Sequence, residues 1–166
     1  ISDCLVGSEM CIRDSWGTNL YQQINWWAPV SNVEKKNTMI FYPDYFDVPV
    51  KNTTSTWDLN IYLANRKKGD FSYPSAPQLK EDLPSNIKIV PVTIKPGEIL
   101  CFSGAHLHSS SKEKSENTRI SFEIRTICEN DLNSSAQAPN VDCDLQWKFP
   151  KIFKKINDNS PLKITS

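Results

Sequence analysis

The sequence predicts an all-β fold of the sandwich or jelly-roll kind, with one or two short helices. Its β-branched and aromatic residues come in short bursts, and eleven prolines against five glycines favour irregular connections over long helices. A chain of 166 residues, of which 39% are hydrophobic, is long enough to build one domain around one core. Many short strands separated by turn signals are typical of such folds.

The first half of the chain predicts two strands, a turn and a short helix. Residues 21–27 and 38–42 are β-rich bursts joined by a polar connection. Pro43-Asp44 signals a turn. Residues 57–68 carry apolar side chains at helical spacing and are followed by a glycine, so they predict a short helix.

The second half predicts three further strands. Residues 87–94 alternate in the manner of a half-buried strand, and residues 99–103 form a continuous apolar burst of the kind buried on both faces of a sheet. A polar loop over residues 109–118 leads, like a hairpin, into the alternating strand 119–126. One face of that last strand carries polar side chains, and the other face is apolar.

The charge balance argues for a small-molecule partner. Lysine and arginine total 19, as do aspartate and glutamate, so nothing in the overall charge selects nucleic acid or an anionic membrane. The sequence contains no apolar run of about 18 residues and no visible signal peptide. We therefore expect a cytoplasmic protein with no membrane partner, and the oligomeric state is not predicted.

The first fifteen residues differ in character from the rest. The string CLVGSEMCIRDS within them resembles the conceptual translation of a sequencing adapter. We therefore expect residues 1–15 to be non-native and the natural protein to be truncated at its N-terminus. On this division, residues 16–145 form the C-terminal part of the β domain, and residues 146–166 form a tail with a possible short helix over 149–156.

Two histidines, the only ones in the chain, stand two residues apart at the end of an apolar strand. Alternation points His106 and His108 to the same face. Imidazole is a suitable ligand for iron, zinc and copper, and a strand end holds it rigidly beside a cavity. The alternative is a hydrogen-bonded histidine in the mouth of a barrel.

Arg119 follows His108 by eleven residues, at the start of the next predicted strand. A guanidinium presents a planar fork of donors, so an arginine that points into a pocket predicts a bidentate anion, most simply a carboxylate. Ser121 lies on the same face and can add a hydroxyl donor. The alternative is a surface arginine paired with Glu123 or Glu116.

Residues 97–108 (GEILCFSGAHLH) and 118–122 (TRISF) together resemble the phytanoyl-CoA dioxygenase branch of the Fe(II)/2-oxoglutarate oxygenases. The resemblance implies a double-stranded β-helix, here incomplete at its N-terminus. It also implies iron bound by a His-x-Asp pair and a distal histidine. By this motif His108 takes the distal-histidine role, and Arg119 anchors the far carboxylate of 2-oxoglutarate with Ser121.

Residues 23–30 resemble the strand that follows the His-x-Asp pair in that family, which makes Trp27 a wall of the cosubstrate pocket. The alternative for Trp27 is an aromatic side chain that fills the core. Asp14 falls where the carboxylate ligand is expected, but Ile12 stands where the family has histidine. The facial triad of two histidines and one carboxylate is then incomplete. We therefore expect this chain to bind iron poorly and the natural protein, with its histidine in place, to bind it well.

The implied activity is hydroxylation of a small molecule, with release of succinate and CO2. Two alternatives stay open at this point. One is a cupin-like isomerase that uses His108 as an acid or base. The other is a non-catalytic, carbohydrate-binding jelly roll that stacks sugars on its aromatic residues, namely Trp26, Trp27, Tyr42 and Tyr45.

Overall fold

Six antiparallel strands form two three-stranded sheets in the structure, a computed structural model that describes residues 11–111 and 117–163. The strands are β1 Ile24–Pro29, β2 Met39–Phe41, β3 Val90–Pro91, β4 Leu100–Ser103, β5 His108–Ser110 and β6 Ser121–Thr126. The helices in the described part of the chain are α1 Leu59–Lys67 and α2 Glu129–Leu132. The expectation of a mostly β fold is confirmed.

The strand order is β4-β1-β6 in one sheet and β3-β2-β5 in the other. The central strand β1 therefore has antiparallel neighbours on both sides, with Trp27 opposite Leu100 and Glu123. The strands β5 and β6 lie in different sheets, so the expected hairpin-like pairing between them is wrong. Each finds its partner elsewhere, β5 in β2 and β6 in β1, and the chain crosses from one sheet to the other between them.

One core cluster takes side chains from both sheets. Its buried members are Trp27, Met39, Phe41, Val92 and Phe102. Phe41 and Phe102 meet edge to face with ring centroids 5.1 Å apart, a favoured aromatic geometry. A second cluster contains Ile40, so the short strand β2 is buried on both faces. The two sheets are thus held together through aromatic packing around β2.

The helix α1 begins and ends close to its predicted bounds. Asp58 caps it, because its side-chain oxygen accepts hydrogen bonds from the backbone N–H groups of Asn60 and Ile61. Two basic residues, Arg66 and Lys67, lie in its last turn, where they stabilise the helix dipole. No residue of α1 is buried, so the helix owes its position to the cap and the following turn rather than to a core face.

Three predicted elements differ from the structure. The strand expected over residues 87–94 is limited to the two residues of β3, one of which is a proline without an N–H group for the ladder. The burst 99–103 was expected to be buried on both faces, but only Phe102 is buried, and Cys101 and Ile99 are exposed. The helix expected over 149–156 is a 3-10 turn, Pro150–Ile152.

The chain on either side of the expected domain core also packs into it. Of the fifteen residues expected to be non-native, residues 1–10 lie outside the described part, and Arg13 is 1% exposed. In the C-terminal tail, Phe153 and Leu162 share a buried cluster with Leu20. Within the described residues, no helix has the length and apolar character needed to cross a membrane.

Candidate functional site

The sheet β4-β1-β6 turns its polar side chains inward. Trp27 is 3% exposed, whereas its neighbour Trp26, on the opposite side of the strand, is 39% exposed. The antiparallel register sets Asn25 opposite Arg125 and Trp27 opposite Glu123. We call this side the inner face; its members are Asn25, Trp27, Ser121, Glu123 and Arg125. The charged face of the last strand therefore lies toward the core.

Asp14 reaches the inner face from the N-terminal segment, where it begins a 3-10 turn, Asp14–Gly17. Its carboxylate is buried, and both oxygens have partners. The side-chain amide of Asn25 donates to Oδ2, and Arg125 Nη2 donates to Oδ1 at 2.8 Å. His108 Nε2 lies 3.4 Å from Oδ2. Three groups on three different segments therefore converge on one carboxylate.

The His108 ring is held in a defined orientation. Its Nδ1 lies 2.9 Å from the backbone carbonyl oxygen of His106, which can only accept a hydrogen bond, so Nδ1 carries the proton. That leaves Nε2 directed at Asp14. The ring also packs against Phe41 and Phe102, with centroids 5.7 and 5.2 Å away. This arrangement suits a histidine that offers Nε2 to a cation.

The other histidine, His106, has a different environment. Its ring stacks on Phe46 with centroids 3.9 Å apart, and burial lowers its pKa, with the neighbouring charges of His108 and Arg13 acting in the same direction. Both histidine rings contact Phe41. Only one of the two, His108, faces Asp14.

A chain of buried amides holds the Asn25 side chain behind Asp14. Gln23 Nε2 donates to Asn25 Oδ1 at 2.8 Å, and Thr18 donates in turn to Gln23 Oε1 at 3.3 Å. The backbone of Gly104 backs onto the Gln23 side chain so closely that an added Cβ would lie 2.8 Å from Nε2. The position of Asp14 is therefore determined by several tightly packed residues and not by one contact.

Arg125 is shared between two carboxylates. Besides Asp14, it contacts Glu123, with Nε 2.8 Å from Oε1. Burial raises the pKa of Glu123, and repulsion from Asp14 adds to that shift. Burial alone would lower the pKa of Arg125, but the attraction of the two carboxylates outweighs it and raises that pKa. The guanidinium thus neutralises negative charge next to His108.

Arg119 lies at the other end of the inner face with donors to spare. Its Nη2 donates to Ser110 Oγ at 3.2 Å, and its guanidinium carbon lies 5.7 Å from the centroid of the Trp27 ring. Its Nη1 is buried and finds no hydrogen-bond partner among the described residues. Burial lowers the pKa of Arg119. A partly buried guanidinium with an unused, buried donor is suited to bind an anion.

The alternative for Arg119 was a surface arginine paired with Glu123 or Glu116, and the pairing with Glu123 is not present. Glu123 bonds to Arg125 and not to Arg119. Glu116 lies outside the described residues. Ser121 begins β6 opposite Pro29, and the hydroxyl that Arg119 contacts belongs to Ser110 instead.

Ile12 stands where the resemblance implies the third ligand of the triad. Its backbone pairs with His108 in an antiparallel bridge, with N–O distances of 2.8 and 3.0 Å. Residues directly opposite in such a bridge have their side chains on the same side of the sheet. Within residues 11–111 and 117–163, no cluster of three or more His, Cys, Asp or Glu side chains could hold a metal ion. His108 and Asp14 bring together two side chains of metal-ligating type, and Ile12 adds no third.

A cavity of about 1100 Å³ opens elsewhere on the molecule. Its lining includes Tyr42 and Ser109, whose hydroxyls lie 2.9 Å apart, and the loop that carries Leu79 and Leu83. Neither His108 nor Arg119 lines this cavity. Ser109 lines it, and His108 points to the opposite face of β5. Its size therefore does not bear on the inner face, where the convergent charged groups define the candidate site.

The aromatic residues that could have formed a sugar-binding platform do not share a surface. Trp26 faces outward, and Trp27 is buried on the inner face. Tyr42 is buried in a different cluster, and burial raises the pKa of its hydroxyl. The four residues expected for that alternative do not stack side by side.

Comparison with known proteins does not indicate a function for this chain. The chain matches no protein-family model and no curated protein. Three residues of the site were not singled out from the sequence: Asn25, Ser110 and Arg125. The alternation of β6 already put Arg125 on the same face as Arg119, but its partner could not be seen without the fold.

Proposed function

We propose that this chain carries the metal and cosubstrate site of a non-haem Fe(II)- and 2-oxoglutarate-dependent dioxygenase of the phytanoyl-CoA dioxygenase type, folded as a double-stranded β-helix. The observation that supports this most is the unused, buried Nη1 donor of the half-buried Arg119, on the same inner face as the His108–Asp14 pair. Two sheets around a shared core, with the chain crossing between them after β5, are compatible with that fold.

In this proposal the metal end consists of His108 and Asp14, with Ile12 in place of the third ligand. The carbonyl of His106 fixes the tautomer that leaves Nε2 of His108 available. Asn25 and Arg125 orient the carboxylate of Asp14 and compensate its charge. They act on Asp14 in the way that outer hydrogen-bond partners orient metal-binding carboxylates.

The cosubstrate end consists of Arg119, Ser110 and Trp27. Arg119 would bind the far carboxylate of 2-oxoglutarate through Nη1, and Ser110 could donate its hydroxyl to the same group. Trp27 lies under the guanidinium and excludes water from one side of it. Ser121 keeps its expected place on the inner face at the start of β6.

When bound, iron and 2-oxoglutarate would allow O2 to be used as the oxidant: one oxygen atom of O2 would hydroxylate a substrate C–H bond, and the other would enter the succinate that forms, with CO2, from 2-oxoglutarate. The chain's own residues bind and orient. The aromatic side chains of Phe41 and Phe102 surround the His108 ring and keep bulk water away from it. The proposed substrate class is a small molecule, and the proposed outcome is its hydroxylation.

The test restores the missing ligand. Ile12→His should place a second imidazole next to His108, because the two residues are bridge partners. We expect its affinity for Fe(II), measured by anaerobic titration calorimetry, to exceed that of the parent chain by at least about tenfold, the scale on which even an outer-shell partner contributes. Ile12→Leu is the matched control and should leave the affinity low.

A second substitution added to Ile12→His tests the metal end and the cosubstrate end of the site separately. Ile12→His with His108→Ala should lose the gained metal affinity. Ile12→His with Arg119→Ala should keep the metal but lose 2-oxoglutarate binding and succinate release. The proposal is wrong if Ile12→His gains no metal affinity over Ile12→Leu, or if Arg119→Ala leaves 2-oxoglutarate-dependent succinate release unchanged.

A further inference from the structure

The side of the sheet β4-β1-β6 opposite the inner face is apolar and open to solvent. We call it the outer face; its members are Trp26, Val30, Ile99, Cys101, Ile120, Phe122 and Ile124. Each of these side chains is exposed, from 39% for Trp26 to 59% for Ile99. In β6 the usual arrangement of an antiparallel strand is reversed, with its apolar side chains facing solvent and its charged ones on the inner face.

The outer face is continuous across the three strands. Trp26 lies between Cys101 on β4 and Ile124 on β6. Phe122 pairs with Ala28, and beyond the strand ends the N–H of Val30 donates to the carbonyl of Ile120 at 2.8 Å. From the exposed fractions, the face presents on the order of 600 Å² of apolar surface, the upper end of what a monomer normally shows.

The sequence pattern of β4 also indicates that this face is covered. The apolar run 99–103 is typical of a strand buried on both sides, yet the described structure covers only one side. An open face with this composition exposes apolar surface to water at a cost of roughly 25 cal/mol per Å². A partner surface would remove that cost.

Charge and area favour a second copy of the same chain as the partner. None of the outward-facing positions of β1, β4 and β6 is charged, so two identical faces meet without repulsion. Two such faces would bury about 1200 Å² in total, which reaches the lower range of specific interfaces. A membrane surface is less favoured, because the face lacks the lysine and arginine residues that bind anionic headgroups.

We propose that the outer face is a self-association surface through which two copies of this chain stack sheet on sheet about a two-fold axis. Stacked antiparallel sheets of this kind pack with their strands about 30° apart. The interface lies on the opposite side of the sheet from His108 and Arg119. The proposal therefore does not depend on the proposed oxygenase function.

Sedimentation velocity of the full chain at about 10–100 µM tests the proposal, because this range populates a dimer whose dissociation constant is micromolar or lower. We expect a dimer for the parent chain and monomers for both Ile124→Lys and Ile124→Glu, because each variant would bury an unpaired charge in an apolar interface. Ile61→Lys is the matched control, an equally exposed isoleucine on α1, and should stay dimeric.

Circular dichroism checks that each variant keeps the sheet content of the parent. A parent chain that is monomeric at about 100 µM overturns the proposal. So does a dimer that both Ile124→Lys and Ile124→Glu leave intact. Co-sedimentation of a monomeric parent chain with phosphatidylcholine vesicles containing phosphatidylserine would instead assign the face to a membrane surface.

Discussion

The two ends of the inner face differ in how completely their polar groups are paired. At the carboxylate end, Asp14 has partners on both oxygens, and Asn25 uses both its amide donor and its carbonyl. At the guanidinium end, Arg119 has a serine hydroxyl, an aromatic ring and an unused buried donor. Both ends are built on the same pair of strands, β1 and β6.

This difference separates groups that stabilise the fold from groups that are available for a ligand. A buried polar group with all its partners contributes to stability, and it costs free energy when one partner is removed. A buried donor without a partner is already costly, so its removal is tolerated by the fold. Substitutions at the carboxylate end should therefore lower the stability of the fold. Substitution of Arg119 should instead abolish ligand binding and leave stability nearly unchanged.

The largest effect on stability is expected at Arg13, which holds the segment that carries Asp14. Its guanidinium donates to the Asp142 carboxylate at 3.0 Å, and four backbone carbonyls complete its set of acceptors: Tyr45, Phe46, Val48 and Ala105. Arg13→Met would leave the four carbonyls without this donor and the Asp142 carboxylate without its charge partner, although Trp16 Nε1 and the Val50 N–H still donate to that carboxylate. We expect the free energy of unfolding in urea to fall by about 3–5 kcal/mol.

The matched control for Arg13 is Lys51→Met. Lys51 forms an ion pair of 2.6 Å with Glu81, but both side chains are largely exposed. Loss of such a surface pair should cost less than about 1 kcal/mol. If Arg13→Met and Lys51→Met unfold at the same urea concentration, the N-terminal segment does not take part in the fold as described.

An intermediate effect is expected at Asn25 in the carboxylate end. Asn25→Leu preserves most of the volume but removes one donor to Asp14 and the acceptor of Gln23 Nε2. We expect a loss of about 1–3 kcal/mol in urea unfolding, since two buried polar groups lose a partner. The exposed Asn60→Leu on α1 should change stability by less than about 0.5 kcal/mol. Equal stability of the two variants would contradict the importance of the buried pairing.

The smallest effect on stability is expected at Arg119. Arg119→Met removes one hydrogen bond and a cation–π contact, but it also removes a partly buried cation whose pKa is lowered by desolvation. We expect calorimetric unfolding to show a net change within about 1 kcal/mol of the parent. A loss as large as that of Asn25→Leu would show that Arg119 serves the fold.

Ligand binding sharpens the same comparison. Addition of 2-oxoglutarate should raise the unfolding temperature of the parent and not that of Arg119→Met, because a ligand stabilises only the state that binds it. Arg66→Met, whose guanidinium lies over the Phe71 ring outside the site, is the control and should respond like the parent. A response of Arg119→Met to 2-oxoglutarate would remove the assignment of the carboxylate anchor.

The fold was predictable where local pattern and tertiary environment agree. The β2 strand and the α1 helix occur close to where their side-chain periodicity predicts them. The strand expected around Val90 was too long, because pairing depends on a partner strand and a proline breaks the ladder. The apolar run ending at Ser103 predicted a strand buried on both faces, but only one face is buried. Burial of the other face would need a second layer packed on the sheet.

The candidate site was predictable only in part for a related reason. Residue chemistry and spacing singled out His108 and Arg119, and the family resemblance added Trp27 and Asp14. The structure brings Asp14 to within 3.4 Å of His108. The contribution of Arg125 was missed because its carboxylate partner lies 111 residues away in sequence. Contacts of that kind depend on strand register, which a single sequence does not specify.

By itself, the sequence determined which side chains share a face of each strand, because alternation is a property of the extended backbone. It also determined the chemistry available at each position, such as the guanidinium of Arg119 or the apolar side chain of Ile12. Only the tertiary structure decided that the charged face of β6 points inward. That choice follows from its pairing with β1, which brings Arg125 to Asp14 and leaves Ile124 exposed to solvent.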